Sequence, residues 1–226
     1  MSTGAIIGIG VLVVMVCCSS SSAAMMMGGD DNGSGTGGSG GSTGGSGGST
    51  TPSGYSLRDA QTPANDWGEG NIVYLDRHTV DCDDDGLNQF KLGRPQEDQI
   101  NYSYKCLEGI NSPANINKDT GANDWGEGNS VYLDRHTVDC GDKPIARFVL
   151  VRPTEGEIRY DYTCNSKTVS GACRDANTGW NEEGEGNSVY LDRHDAKCNA
   201  DEVITRFNLV RDGQGKFRYD YKCCKM

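Results

Sequence analysis

The chain has 226 residues, 32 acidic against 21 basic, and a formal net charge of −11. Only two charges, Asp30 and Asp31, precede Tyr55, so residues 55–226 carry −9; such a surface repels phosphate backbones and excludes nucleic acid as a partner class. About 170 residues can build one sizeable core, whereas three separate units of under 60 would each need staples.

The N-terminus opens with an apolar run, AIIGIGVLVVMVCC, and the 23 residues from Ala5 to Met27 contain no charge. At about 1.5 Å per residue this is long enough for a ~30 Å hydrocarbon core. It predicts a transmembrane helix over residues 1–27 that anchors the chain in a lipid bilayer. A signal peptide cleaved near Ser22-Ala23-Ala24 is the alternative, although the usual positive n-region is missing. Residues 28–54 are almost wholly Gly, Ser and Thr, too polar and too flexible to fold, and read as a tether. Within it Gly37-Gly38-Ser39-Gly40-Gly41 matches a hydrolase nucleophile pattern, a match that Gly/Ser composition alone produces.

Beyond the tether the sequence repeats. NDWGEGNIVYLDRHTVDC returns as NDWGEGNSVYLDRHTVDC and then as NEEGEGNSVYLDRHDAKC, with Tyr74, Tyr132 and Tyr190 spaced by 58 residues. Further along, LNQFKLGR, IARFVLVR and ITRFNLVR correspond, as do INYSYKC, IRYDYTC and FRYDYKC. Repeats over 55–107, 108–165 and 166–226 follow. Each offers period-two segments rich in β-branched and aromatic residues between Gly, Asp and Pro, and no useful helical periodicity. The fold class is therefore all-β, with strands predicted near 129–136, 145–152 and 157–164 of the middle copy. Arg159, Asp161 and Thr163 alternate with the apolar residues of the last of these, so one sheet face is wet. Short connections between copies favour a joined body, closed with pseudo-threefold symmetry as a prism or trefoil-like form, over separate beads.

Of the ten cysteines, eight fall in the repeats, an even number without a CxxC pair, which suits disulfides made in an oxidising setting. Cys82 and Cys106, Cys140 and Cys164, Cys198 and Cys223 occupy the same two positions in each copy and are expected to pair within it. Cys173 and Cys224 occur together in the third copy only and make the remaining pair. If the three strands formed a flat meander, the ends to be bridged would lie about 10 Å apart, beyond the ~7 Å that a disulfide allows. Either the residues between His136 and Cys140 cross the end of the middle strand, or the outer strands are neighbours.

The motif VYLDRH holds every histidine of the chain. Read as a strand, it sets Asp134 and His136 on one face, as for an oriented general base. No Ser or Cys nucleophile accompanies it in all copies, so no catalytic residue is assigned and an enzyme is not expected. If the copies close about an axis, His78, His136 and His194 could converge on a metal such as zinc; the structural alternative, favoured here, is cross-strand Asp–Arg pairing with a packed histidine. Asp124, Glu127 and Asn129 of the GEGN loop offer calcium ligands or a plain turn. No cofactor is expected. Trp67, Trp125 and Trp180 are candidate contacts for glycans, because exposed aromatic residues mark recognition surfaces. Asn32 and Asn101 stand in N-x-S sequons.

The leader MSTGAIIGIGVLVVMVCCSSSSAAMMMGGDD with its Gly/Ser tract, and the repeat GEGNSVYLDRH…C…F-x-LVR…IRYDYTC, resemble membrane-anchored virion proteins of large algal DNA viruses of the phycodnavirus type. The cadence of C, F-x-L and Y-x-Y-x-C is also similar to dermatopontin-like extracellular repeats, which lack the DRH element. The viral resemblance implies a structural virion component anchored in membrane, such as a minor capsid protein linking capsid and membrane through other capsid or surface proteins. A secreted or surface carbohydrate-binding module is the alternative expectation.

Overall fold

The computed structural model describes residues 54–226, so the expected anchor, and the tether as far as residue 53, lie outside the described residues. Among the described residues no helix is long and apolar enough to cross a membrane.

Each repeat supplies five strands. The first copy has β1 (Ser56–Gln61), β2 (Asn65–Asp66), β3 (Val80–Asp81), β4 (Gly86–Gly93) and β5 (Gln99–Glu108). The second has β6 (Ala114–Asp119), β7 (Asn123–Asp124), β8 (Thr137–Asp139), β9 (Ile145–Val151) and β10 (Glu157–Asn165). The third has β11 (Cys173–Asn177), β12 (Asn181–Glu182), β13 (Asp195–Lys197), β14 (Glu202–Arg211) and β15 (Lys216–Lys225). They form three antiparallel sheets, ordered β1-β5-β4-β13, β6-β10-β9-β3 and β11-β15-β14-β8, with β2, β7 and β12 continuing along β5, β10 and β15.

The copies are not self-contained. Strand β3 of the first pairs with β9 of the second, β8 of the second with β14 of the third, and β13 of the third with β4 of the first. These pairings run round a closed cycle. Each lent strand is followed directly by a cysteine whose amide bonds a carbonyl in the receiving strand: Cys82 to Ala146, Cys140 to Thr205, Cys198 to Asn88, at 2.8–3.0 Å. Those three acceptors sit where the ladders to β10, β15 and β5 skip a residue, as β-bulges.

The strand exchange resolves the spacing problem of the cysteines in a way neither sequence alternative foresaw. Cys140 lies at the end of a strand in the third sheet, and Cys164 lies in β10 of the second. The bridges Cys82–Cys106, Cys140–Cys164 and Cys198–Cys223, with Cα separations of 5.5–5.6 Å, therefore lace each sheet to the next. Cys173–Cys224 instead joins directly opposed residues of β11 and β15.

The core follows from alternation on the long strands. Phe90, Phe148 and Phe207 hold one position of β4, β9 and β14, are at most 1% exposed, and meet pairwise with ring centroids 4.8–5.3 Å apart. Tyr102, Tyr160 and Tyr219 pack edge-on against them, each touching the phenylalanine of its own copy and of another. Six rings at 4.8–6.4 Å form one cluster to which all three sheets contribute, in the offset and edge geometries that aromatic quadrupoles favour.

Candidate functional site

VYLDRH is not a strand. Residues Ile72–Arg77, Ser130–Arg135 and Ser188–Arg193 form 3₁₀ turns, each started by an asparagine whose Oδ1 accepts the amide of Val73, Val131 or Val189 at 3.0 Å. In a 3₁₀ turn residues three apart share a face, so Arg77, Arg135 and Arg193 lie over the rings of Tyr74, Tyr132 and Tyr190 at 4.1–4.2 Å. Under each tyrosine lies the first glycine of GEGN: a Cβ on Gly126 would stand 2.1 Å from the Tyr132 ring. The second glycine meets the capping asparagine of another copy, Gly128 against Asn71, Gly186 against Asn129 and Gly70 against Asn187. The GEGN loops thus interlock round the same cycle as the strands.

Asp and Arg of the motif do not pair with each other. Asp76 accepts from Arg152 and Asp192 from Arg94, each at 2.9 Å, so the motif aspartate holds the arginine that ends the neighbouring copy's strand. The third such contact is broken. Glu183 stands where the other copies have Trp67 and Trp125, and draws Arg211 to itself at 3.2 Å; Asp134 is left exposed and without an ion pair among the described residues.

The histidines are buried, at most 1% exposed. Nδ1 of His78, His136 and His194 lies 2.7–2.9 Å from Oγ1 of Thr62, Thr120 and Thr178. Each threonine oxygen also accepts the amide of Tyr102, Tyr160 or Tyr219. Each hydroxyl thus ties an imidazole to the backbone of the tyrosine strand, while the Nε2 atoms have no hydrogen-bond partner. Burial, reinforced by the adjacent arginine, holds all three pKa values below the usual histidine range, His194 at about 4.

This placement overturns the convergent metal site. The nitrogens of His78, His136 and His194 do not come within 4.8 Å of one another; the one grouping of that kind among the described residues is Cys198, Glu202 and Cys223, and its cysteines are bonded to each other. Two of the three GEGN donors are engaged in the turn itself: Asp124 accepts the Gly126 amide at 2.8 Å and Asn129 caps its own turn, while Glu127 is exposed. The motif that the sequence offered as a possible site is the joint between copies.

The tryptophans separate. Trp67 and Trp125 are partly buried and pack on the core, whereas Trp180 is 40% exposed with the Arg218 guanidinium over its ring at 4.3 Å. Trp67 also borders a depression of about 640 Å³ with Arg94 and residues 96–99. Asn101 is 6% exposed, so that sequon is closed in the folded domain.

The feature that recurs on the surface is a depression on the outward face of each sheet. In the first it has about 430 Å³ and is lined by Asp59, Gln61, Gln89, Lys91, Ser103 and Lys105. The second, about 290 Å³, is lined by Asn117, Asp119, Arg147, Arg159, Asp161 and Thr163. In the third, about 420 Å³, the lining includes Asp175, Asn177, Arg206, Asn208, Asp220 and Lys222. Ladder partners place them in register: Asp59, Lys105 and Gln89 correspond to Asn117, Thr163 and Arg147, and to Asp175, Lys222 and Arg206. Eight of the basic side chains line these faces, together with carboxylates and amides. They were legible only as the polar half of the strand alternation.

No protein-family model, curated protein or solved structure matches this chain.

Proposed function

We propose that the chain is a surface-displayed glycan-binding protein, in which an N-terminal anchor and Gly/Ser tether carry a rigid head with three binding faces. The observation that carries this reading is the recurrence, at corresponding register on all three sheets, of a depression into which polar side chains project, with Ala60 and Tyr104 beside them on the first. Its lining of Asp, Asn, Gln, Arg and Lys suits ligands dense in hydroxyl groups, and volumes of 290–430 Å³ suit one or two sugar units. Three weak sites on one head raise avidity without any single tight contact. The test is a glycan array probed with the purified full-length chain in detergent: binding to a defined sugar class supports the reading, and signal at background for every glycan removes it.

A second reading, a structural virion or surface protein that contacts its neighbours, draws on a different observation. The chain enters the head at Ser56, opposite Glu108, while the hairpins β4–β5, β9–β10 and β14–β15 turn at the other end. The segments at that far end (65–78, 94–99, 123–136, 152–157, 181–194 and 211–216) hold 15 acidic and 7 basic residues, nearly all of the head's net charge. A surface so polarised suits a basic protein neighbour. Crosslinks from these segments to another protein in the native particle or membrane would support it; crosslinks confined to the sheet faces would count against it.

A further inference from the structure

We infer that the first sheet holds the principal site and that its ligand is an acidic sugar unit bearing a carboxylate; this rests on the glycan-binding reading above. The three faces share a frame but not a lining. On the second and third sheets the central outward positions hold arginine and aspartate two residues apart on one strand, Arg159 with Asp161 and Arg218 with Asp220, each ion-paired at 2.7 Å. These pairs lie within the depressions and neutralise themselves.

The first sheet has lost that pair. Its corresponding residues are Asn101, which is buried, and Ser103, which is exposed. Across the ladder from Ser103 stands Lys91, where the other sheets set Val149 and Asn208 opposite their aspartates. Lys91 is exposed and has no ion pair among the described residues. The other lysine of this face, Lys105, is held by Asp59 at 2.9 Å.

A second observation concerns Gln89 beside it. Its Nε2 donates to Asp195 Oδ1 at 2.7 Å, which fixes the amide, while its Oε1 is buried and without a partner. That oxygen is closed off from the surface, so the part Gln89 plays is to hold the carboxylate of Asp195, the cross-strand neighbour of Lys91. The depression thus offers an unpaired cation and the Ser103 hydroxyl. A neutral sugar satisfies the hydroxyl alone. A uronate satisfies both, with its carboxylate on Lys91. The head's net charge of −9 opposes an anion at long range, but at physiological ionic strength that field is screened beyond about 8 Å, whereas a contact at Lys91 is not.

The experiment is a calorimetric titration of the full-length chain with a glucuronate-containing disaccharide and with its carboxyl-reduced, neutral counterpart. The reduced sugar should bind about tenfold more weakly, the loss expected for one charge-assisted contact. Lys91→Met should bring the uronate down to the affinity of the neutral sugar and leave the neutral sugar unchanged. Lys216→Met, exposed at the hairpin end of the third sheet and outside all three depressions, should change neither. Equal affinity for the two sugars in the parent chain, unchanged uronate binding in Lys91→Met, or no binding of either disaccharide overturns the acidic-sugar site. Any of these beside a positive array leaves the glycan-binding reading standing, and only a blank array removes that as well.

Discussion

Single residues in GEGN do work that their side chains do not advertise. Gly126 has φ +58° and lies under Tyr132, so Gly126→Ala meets both a left-handed backbone and a ring with no room to retreat beneath Arg135. We expect it to lower stability by about 1–3 kcal/mol, read from denaturant unfolding, whereas alanine at Gly141, which also has positive φ but nothing within 4 Å, costs less. Thr120→Val removes the hydrogen-bond partner of His136 Nδ1 and the acceptor of the Tyr160 amide; with two buried groups stranded, a loss of about 2–4 kcal/mol is expected in the same measurement. The turn at GEGN was legible in the sequence, but the reason for its glycines was not, because the ring folds back from six residues further on and the asparagine comes from another copy. VYLDRH misled for a related reason: apolar residues at Val131 and Leu133 fit period two, and six residues are too few to separate that from a 3₁₀ period of three.

The strands of the hairpins were readable from alternation, as the pairs β9–β10 and β14–β15 illustrate. The short strands β3, β8 and β13, of two or three residues, were not. Nothing local distinguishes Thr137–Asp139 from a loop; it is a strand because β14 has an open edge that accepts it. The cysteine pairs, by contrast, could be read from position alone, although their role as links between sheets could not. Because Cys140–Cys164 joins two sheets as well as closing a loop, replacing both residues by alanine should cost about 2–5 kcal/mol and loosen the seam. Hydrogen exchange should rise at residues 137–140 and in the partner strand segment 205–208, and stay low in the β4–β5 hairpin.

For the whole molecule, three buried neutral histidines make acid a common stress. In the unfolded chain they titrate near 6.5, as a free imidazole side chain does, and in the fold they titrate lower, His194 at about 4. Between those values the unfolded state binds more protons, so stability is full above pH 6.5 and falls as the pH drops through this window. Each histidine contributes up to about 1.4 kcal/mol per pH unit. Melting temperatures between pH 7.5 and 5 should fall steadily, and His136→Gln should flatten that slope by about a third; a melting point independent of pH over this range would contradict the buried, neutral assignment. Truncation after Asn165 should be more drastic, since it strips β13 from β4 and leaves β8 without β14. Two sheets with bare edges are expected to show no cooperative melt by circular dichroism, and to elute from a sizing column as oligomers.

The pairing of β13 with β4 joins residues about a hundred positions apart and closes the cycle of exchanged strands. A repeat array that stacks end to end can gain or lose a unit and merely change length. Here a fourth copy would have to be admitted between a donor and an acceptor that already hold each other, so the fold counts to three. Under that fixed number the copies have been free to differ: Glu183 in place of a tryptophan, a private bridge between Cys173 and Cys224, and an unpaired Lys91 on one face. Novelty in such a molecule arises by altering a face, since it cannot arise by adding one.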